Sequence, residues 1–65
     1  MEEENLGQAA LAVDAAKQAL YAARRDLATA VITARRGGMS VSRIAARTGL
    51  DPASVRNMLA ANGLR

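Results

Sequence analysis

Two apolar rhythms divide this chain. Between residues 6 and 34, Leu6, Val13, Leu20, Leu27 and Ala34 recur every seven positions, and Ala9, Ala16, Ala23 and Ala30 stand between them. This is an a/d heptad in which one position is mostly large and the other is always alanine. No proline breaks the run and its only glycine is the early Gly7, so the pattern predicts one long helix over Asn5–Arg36. Glu2, Glu3 and Glu4 at its start and Arg35 and Arg36 at its end both suit the helix macrodipole. Gly37-Gly38 then supplies a stop with a left-handed residue.

Beyond the glycines the rhythm shortens. Ser40 is placed to cap a helix over Val41–Thr48, and Asp51 followed by Pro52 marks the start of another over Pro52–Ala61. Asn62-Gly63 closes it, and the remaining Leu64 and Arg65 leave no room for a β-wing. Counted from Val41, a small residue falls fifth (Ala45) and glycine ninth (Gly49), while Ile44, Leu50, Val55 and Met58 are apolar at the fourth, tenth, fifteenth and eighteenth places. Ala45 must be small where the following helix crosses it. Gly49 sits where the turn needs positive φ, which costs a residue with a Cβ about 1 kcal/mol or more. The apolar set holds the two helices at a steep angle and frees the outer face of the second for a major groove.

In these residues the chain resembles the tri-helical helix-turn-helix domains of small bacterial and phage regulators, including the C-terminal domains of resolvases and invertases. The resemblance implies a tri-helical helix-turn-helix unit; joined to the long helix read from the heptad, it gives an expected all-α fold in which a long N-terminal dimerisation helix leads into a wingless tri-helical unit. It divides the chain into a self-association segment at 1–26 and a DNA-binding unit at 27–65, continuous with each other. It also implies double-stranded DNA as the partner.

Charge sharpens this picture. In residues 1–23 four acids face Lys17 alone, a net of −3, whereas in residues 24–65 eight arginines face Asp26 and Asp51, a net of +6; together these give the overall +3. The basic half is the one carrying the helix-turn-helix, as for a DNA reader with a separate assembly segment. With no Cys and no His, thiol chemistry, disulfides and the usual zinc sites are excluded. No apolar run approaches the roughly 20 residues of a membrane span, and the acidic start is the reverse of a basic leader. The expectation is a cytoplasmic, nucleoid-associated protein without cofactor, metal or small-molecule ligand. The dispersed acids and the absence of a phosphate-cradling glycine loop argue against an enzyme. Tyr21 is the sole aromatic, which removes the stacking platform of single-strand binders and favours duplex DNA.

Candidate contacts follow from helix geometry. With Val55, Met58 and Leu59 turned inward, the last helix presents Ala53, Ser54, Arg56, Asn57 and Ala60 as the base-reading face. Arg56 suits the O6/N7 edge of guanine and Asn57 the N6/N7 edge of adenine. Phosphate contacts are expected from Ser40 and Ser42 at a helix N-terminus, from Arg43 and Arg47 one turn apart, and from the flanking Arg35 and Arg36.

The long helix, roughly 48 Å as predicted, exceeds what two short helices can cover. Leu27, Val31 and Ala34 are near enough in sequence to pack on the same chain, whereas Leu6, Ala9, Val13, Ala16, Leu20 and Ala23 are expected to form a homodimer seam of the coiled-coil type. Parallel and antiparallel pairing both remain open. If two antiparallel helices cross near residue 14, their exits near residue 27 lie roughly 39 Å apart, against about 34–36 Å for one DNA turn. The function expected is sequence-specific binding of double-stranded DNA by a small homodimeric transcriptional regulator, a repressor foremost, acting by occupying DNA, by bending it or by contacting polymerase. The alternatives are a partition or recombination accessory factor, or a helical protein-interaction adaptor that does not bind DNA.

Overall fold

The computed structural model describes residues 1–63. It contains α1 (Glu2–Arg36), α2 (Val41–Thr48) and α3 (Pro52–Ala61), with no strand among the described residues. The fold class read from the sequence is therefore the observed one. The absence of a wing was read from Leu64 and Arg65, which lie outside the described residues.

The observed α1 begins three residues before the expected Asn5. Glu2, Glu3 and Glu4 occupy its first turn, where their charge favours the helix over a frayed end, and the Asn5 amide already donates to the Met1 carbonyl at 3.0 Å. Its other end is fixed by hydrogen bonds. The Met39 amide reaches the Ala34 carbonyl and the Gly38 amide the Arg35 carbonyl, each at 3.0 Å, with Gly38 at φ 98°. This is a Schellman stop, in which the left-handed residue turns the chain and brings the next apolar side chain back onto the helix. Gly38 is that residue; Gly37 keeps a φ of −77°.

The turn between α2 and α3 is held in a different way. Gly49 adopts φ 73° and its amide donates to the Ala45 carbonyl at 2.9 Å. A Cβ at Gly49 would meet nothing within 4 Å, so glycine is required there by backbone conformation and not by space. Beside it, the Thr48 hydroxyl donates to the Ile44 carbonyl at 2.8 Å and accepts from the Leu50 amide at 3.2 Å, which ties the turn to the end of α2.

The core consists of Val31 from α1, Ile44 and Ala45 from α2, and Val55 and Leu59 from α3. Leu27, Ile32, Ala34, Met39, Val41, Leu50 and Met58 pack around it and stay partly exposed. The inward face of α3 thus centres on Val55 and Leu59, with Met58 at its margin. None of this reaches the first half of α1, where every residue from Met1 to Tyr21 is exposed. The principal extents of 55 × 20 × 16 Å and a radius of gyration of 16.8 Å far exceed the ~11 Å expected for a compact chain of this length. A small three-helix unit thus carries a helical arm that is left uncovered by the other described residues.

Candidate nucleic-acid interface

Two helix starts and one helix face define the surface. At the start of α2, Ser40 has extended backbone (φ −70°, ψ 153°) and its Oγ accepts from the Arg43 amide at 3.2 Å. That bond satisfies one of the free amides of the first turn, beside the exposed Ser42 and Arg43. At the start of α3, Asp51 holds the capping position with φ −67° and ψ 140°, and Pro52 follows at the first helical position, but the Asp51 side chain makes no capping hydrogen bond. The Asp51 carbonyl, by contrast, accepts from the Val55 amide at 3.1 Å. Asp51 thus starts the helix through its backbone and not through its side chain.

With Val55 and Leu59 buried on one side of α3, the other side carries Ala53, Ser54, Arg56, Asn57 and Ala60, all exposed. Their small neighbours leave Arg56 and Asn57 as the only long polar side chains there, each able to make two hydrogen bonds in one plane. No side-chain polar atom is buried without a partner among the described residues.

The six residues expected at phosphates fall into two groups. Arg36, Ser40, Ser42 and Arg43 are exposed around the start of α2. Arg35 is half-buried and its Nη1 donates to the Met39 carbonyl at 3.2 Å; it braces the turn out of α1, and only its remaining N–H groups are available to a ligand. Arg47 is exposed on α2 at the rim of an open apolar groove of about 250 Å³ between α1 and α2. That groove is lined by Leu27, Ala30, Val31 and Ala34 from α1, together with Met39, Ile44 and Thr48. Along α1, the residues expected at a seam are all exposed: Leu6, Val13 and Leu20 at 71%, 56% and 48%, and Ala9, Ala16 and Ala23 likewise.

Met39, Ile32 and Val41 support the unit and were not singled out from the sequence. Met39 could have been found, because an apolar residue directly after a left-handed helix-ending Gly commonly packs back on the last turn. Ile32 stands two positions from the nearest stripe members, Ala30 and Ala34, and escapes a pattern search for that reason.

The short turn, the buried small residue before it, the left-handed glycine within it and the bare outer face of the next helix together define a helix-turn-helix. Residues 30–61, from the last turns of α1 to the end of α3, match the IclR helix-turn-helix domain. That part of the chain is accordingly a DNA-binding helix-turn-helix of the transcription-regulating kind. The match names the IclR type, and the likeness to resolvases and invertases is not part of what it supports. No curated protein and no solved structure matches the chain. Among the described residues no helix is long and apolar enough to cross a membrane.

Proposed function

We propose that the protein is a sequence-specific, double-stranded-DNA-binding transcription regulator that works as a homodimer and represses by occupying its site. The observation that carries the reading is the bare outer face of α3, with exposed Arg56 and Asn57, on a tri-helical unit that matches a regulator's DNA-binding domain. In this reading Arg56 and Asn57 contact base edges, with Ala53, Ser54 and Ala60 setting the closeness of approach. Ser40, Ser42, Arg43 and Arg36 hold phosphates. A second copy is favoured because one small tri-helical unit covers little DNA and a two-fold pair reads two half-sites at once. The cytoplasm, where duplex DNA is available, is the compartment this function requires.

The test is selection of a preferred duplex from a random pool, followed by titration at several salt concentrations. Affinity should fall steeply as salt rises. Arg56→Ala should cost about 1–3 kcal/mol and relax preference at one base position, whereas Arg43→Ala should weaken all sequences alike and lower the salt slope by about one. An unchanged base preference in Arg56→Ala removes that residue from the reading set. The uncovered apolar face of α1 supports a second reading, a helical adaptor for another protein. Absence of salt-dependent duplex binding would favour it.

A further inference from the structure

The groove beside α2 and the bare face of α1 are one surface. Leu27, Ala30 and Ala34, which line the groove, are also members of the heptad that contains Leu6, Ala9, Val13, Ala16, Leu20 and Ala23. The apolar stripe therefore runs the length of α1 and ends in a concavity closed on one side by Ile44 and Thr48 and rimmed by Arg47. We infer that this surface takes the α1 helix of a second copy, running antiparallel and crossing near residue 18, so that each copy's N-terminal turns fill the other's α1–α2 groove. The inference rests on the dimeric reading above and adds to it the orientation, the register and a contact with the DNA-binding unit.

Side-chain size favours the antiparallel arrangement. In a parallel, in-register pair each residue faces its own copy, so leucine layers would alternate with alanine layers. Leucine would then hold the backbones apart where alanine cannot fill the gap, and voids forfeit the contacts that packing supplies. In an antiparallel pair a positions face d positions. With the crossing near residue 18, Leu6 faces the partner's Ala30, Ala9 the partner's Leu27, Val13 the partner's Ala23 and Ala16 the partner's Leu20. Every layer then holds one large and one small side chain, and the helices can lie close together along their whole length.

Charge gives the same answer independently. Residues 2–17 carry Glu2, Glu3, Glu4 and Asp14 against Lys17, a net of −3, and residues 18–36 carry Arg24, Arg25, Arg35 and Arg36 against Asp26, a net of +3. Antiparallel pairing lays each acidic half along a basic half, and parallel pairing lays like on like. Over the ~10 Å between adjacent helix axes these charges are not fully screened at ordinary salt.

The groove sets the register. A crossing near residue 14 pairs Leu6 with the partner's Ala23 and leaves Leu27 and Ala30 beyond the seam. Moving the crossing one half-heptad, to near residue 18, sets Leu6 opposite the partner's exposed Ala30, at the mouth of the groove, and brings Glu2, Glu3 and Glu4 alongside the partner's Arg35 and Arg47. The two copies of Val31, at the centres of the DNA-binding units, are then roughly 39 Å apart along the helix axis, close to one turn of duplex.

The chain has no cysteine, so single-cysteine variants report the geometry directly. Leu6, Ala23 and Ala30 are all exposed in one chain, and replacing them leaves the three-helix core intact. Leu6→Cys, Ala23→Cys and Ala30→Cys would be prepared separately, treated with a short bis-maleimide alone and in pairwise mixtures, and compared with sedimentation of the unaltered protein. The expected result is a linked dimer from the Leu6→Cys and Ala30→Cys mixture that is absent from either variant alone and from the Leu6→Cys and Ala23→Cys mixture. Linkage within each single variant would overturn the antiparallel orientation while keeping the dimer. Linkage of Leu6→Cys to Ala23→Cys in place of Ala30→Cys would overturn the filled groove, and a sedimenting dimer with no linkage would overturn the register. A monomer for the unaltered protein at all concentrations would remove the dimeric reading and this one with it.

Discussion

The two ends of α1 share one apolar rhythm and meet opposite fates. Both carry a heptad of large apolar residues and alanine, yet Val31, beside the stripe at one end, is 2% exposed while Leu6, in the stripe at the other, is 71% exposed. What separates them is the turn after Arg36. The Schellman stop folds α2 and α3 back onto the last turns of α1 and nowhere else, because two helices of this length cannot reach further. An apolar face is therefore a requirement for a partner, and chain connectivity decides whether the partner is internal. The same physics that closes a core around Val31 leaves the stripe from Leu6 to Leu20 uncovered by the described residues of its own chain.

Truncation in the two regions should separate them most sharply. Ile44→Ala removes a side chain from a core of only a few residues and should cost about 2–5 kcal/mol, enough to unfold the C-terminal unit of so small a domain. Circular dichroism melts should show loss of the cooperative transition, and duplex binding should vanish with it. Leu20→Ala should change the stability of the same unit by no more than about 0.5 kcal/mol when the protein is dilute, and act only on the concentration dependence of the melt. Equal losses from both, independent of concentration, would show the arm to be part of the core.

The next largest effect belongs to the turn. Gly49→Ala must place a Cβ residue at φ 73°, costing about 1–2 kcal/mol although nothing crowds the added atom. Gly7→Ala, in open space within the arm, should have the opposite sign. A melt in which Gly49→Ala is neutral would mean the turn can relax to negative φ without disturbing the α2–α3 packing.

These contrasts also show what a sequence can reveal. The bounds of α2 and α3 were legible because each is set by local chemistry: Ser40, Gly49, Asp51 and Pro52 act on their own neighbours. The core was legible where the spacing was regular, at Val31, Ile44, Ala45 and Val55, and blurred at α3, where Leu59 and not Met58 is the deeper residue. The exposed face of α3 followed from the same periodicity. Arg35 was not legible, since its tie to the Met39 carbonyl exists only once the turn has formed. Nor was the groove, which depends on the distance and angle between α1 and α2 and not on any one residue.

Helix starts offer a smaller and finer comparison. Ser40 accepts a hydrogen bond from the Arg43 amide, and Asp51 accepts none through its side chain. Ser40→Ala should therefore cost about 1 kcal/mol, while Asp51→Ala should lose only the favourable charge at the helix start, about 0.3–1 kcal/mol and reduced by added salt. Thermal melts at low and high salt distinguish the two, because only the Asp51 effect should shrink.

The smallest expected effect tests the arm on its own terms. Gly7 lies in α1 outside the a/d stripe, and a Cβ there would meet nothing within 4 Å. With no packing to gain or lose, Gly7→Ala acts only through backbone freedom and should favour the helix by about 0.5–1 kcal/mol. How that gain is expressed depends on the state of the arm. In an isolated arm, opening costs little and amides around residue 7 exchange quickly, so the substitution should slow them about two- to fivefold without touching those near Val31. In a paired arm, the same amides are already protected by the seam and open only with dissociation. Gly7→Ala should then slow exchange in step with tighter dimerisation, and the slowing should grow with protein concentration. Hydrogen exchange at two concentrations thus reads directly whether the apolar stripe of α1 stays bare or is covered by a second chain.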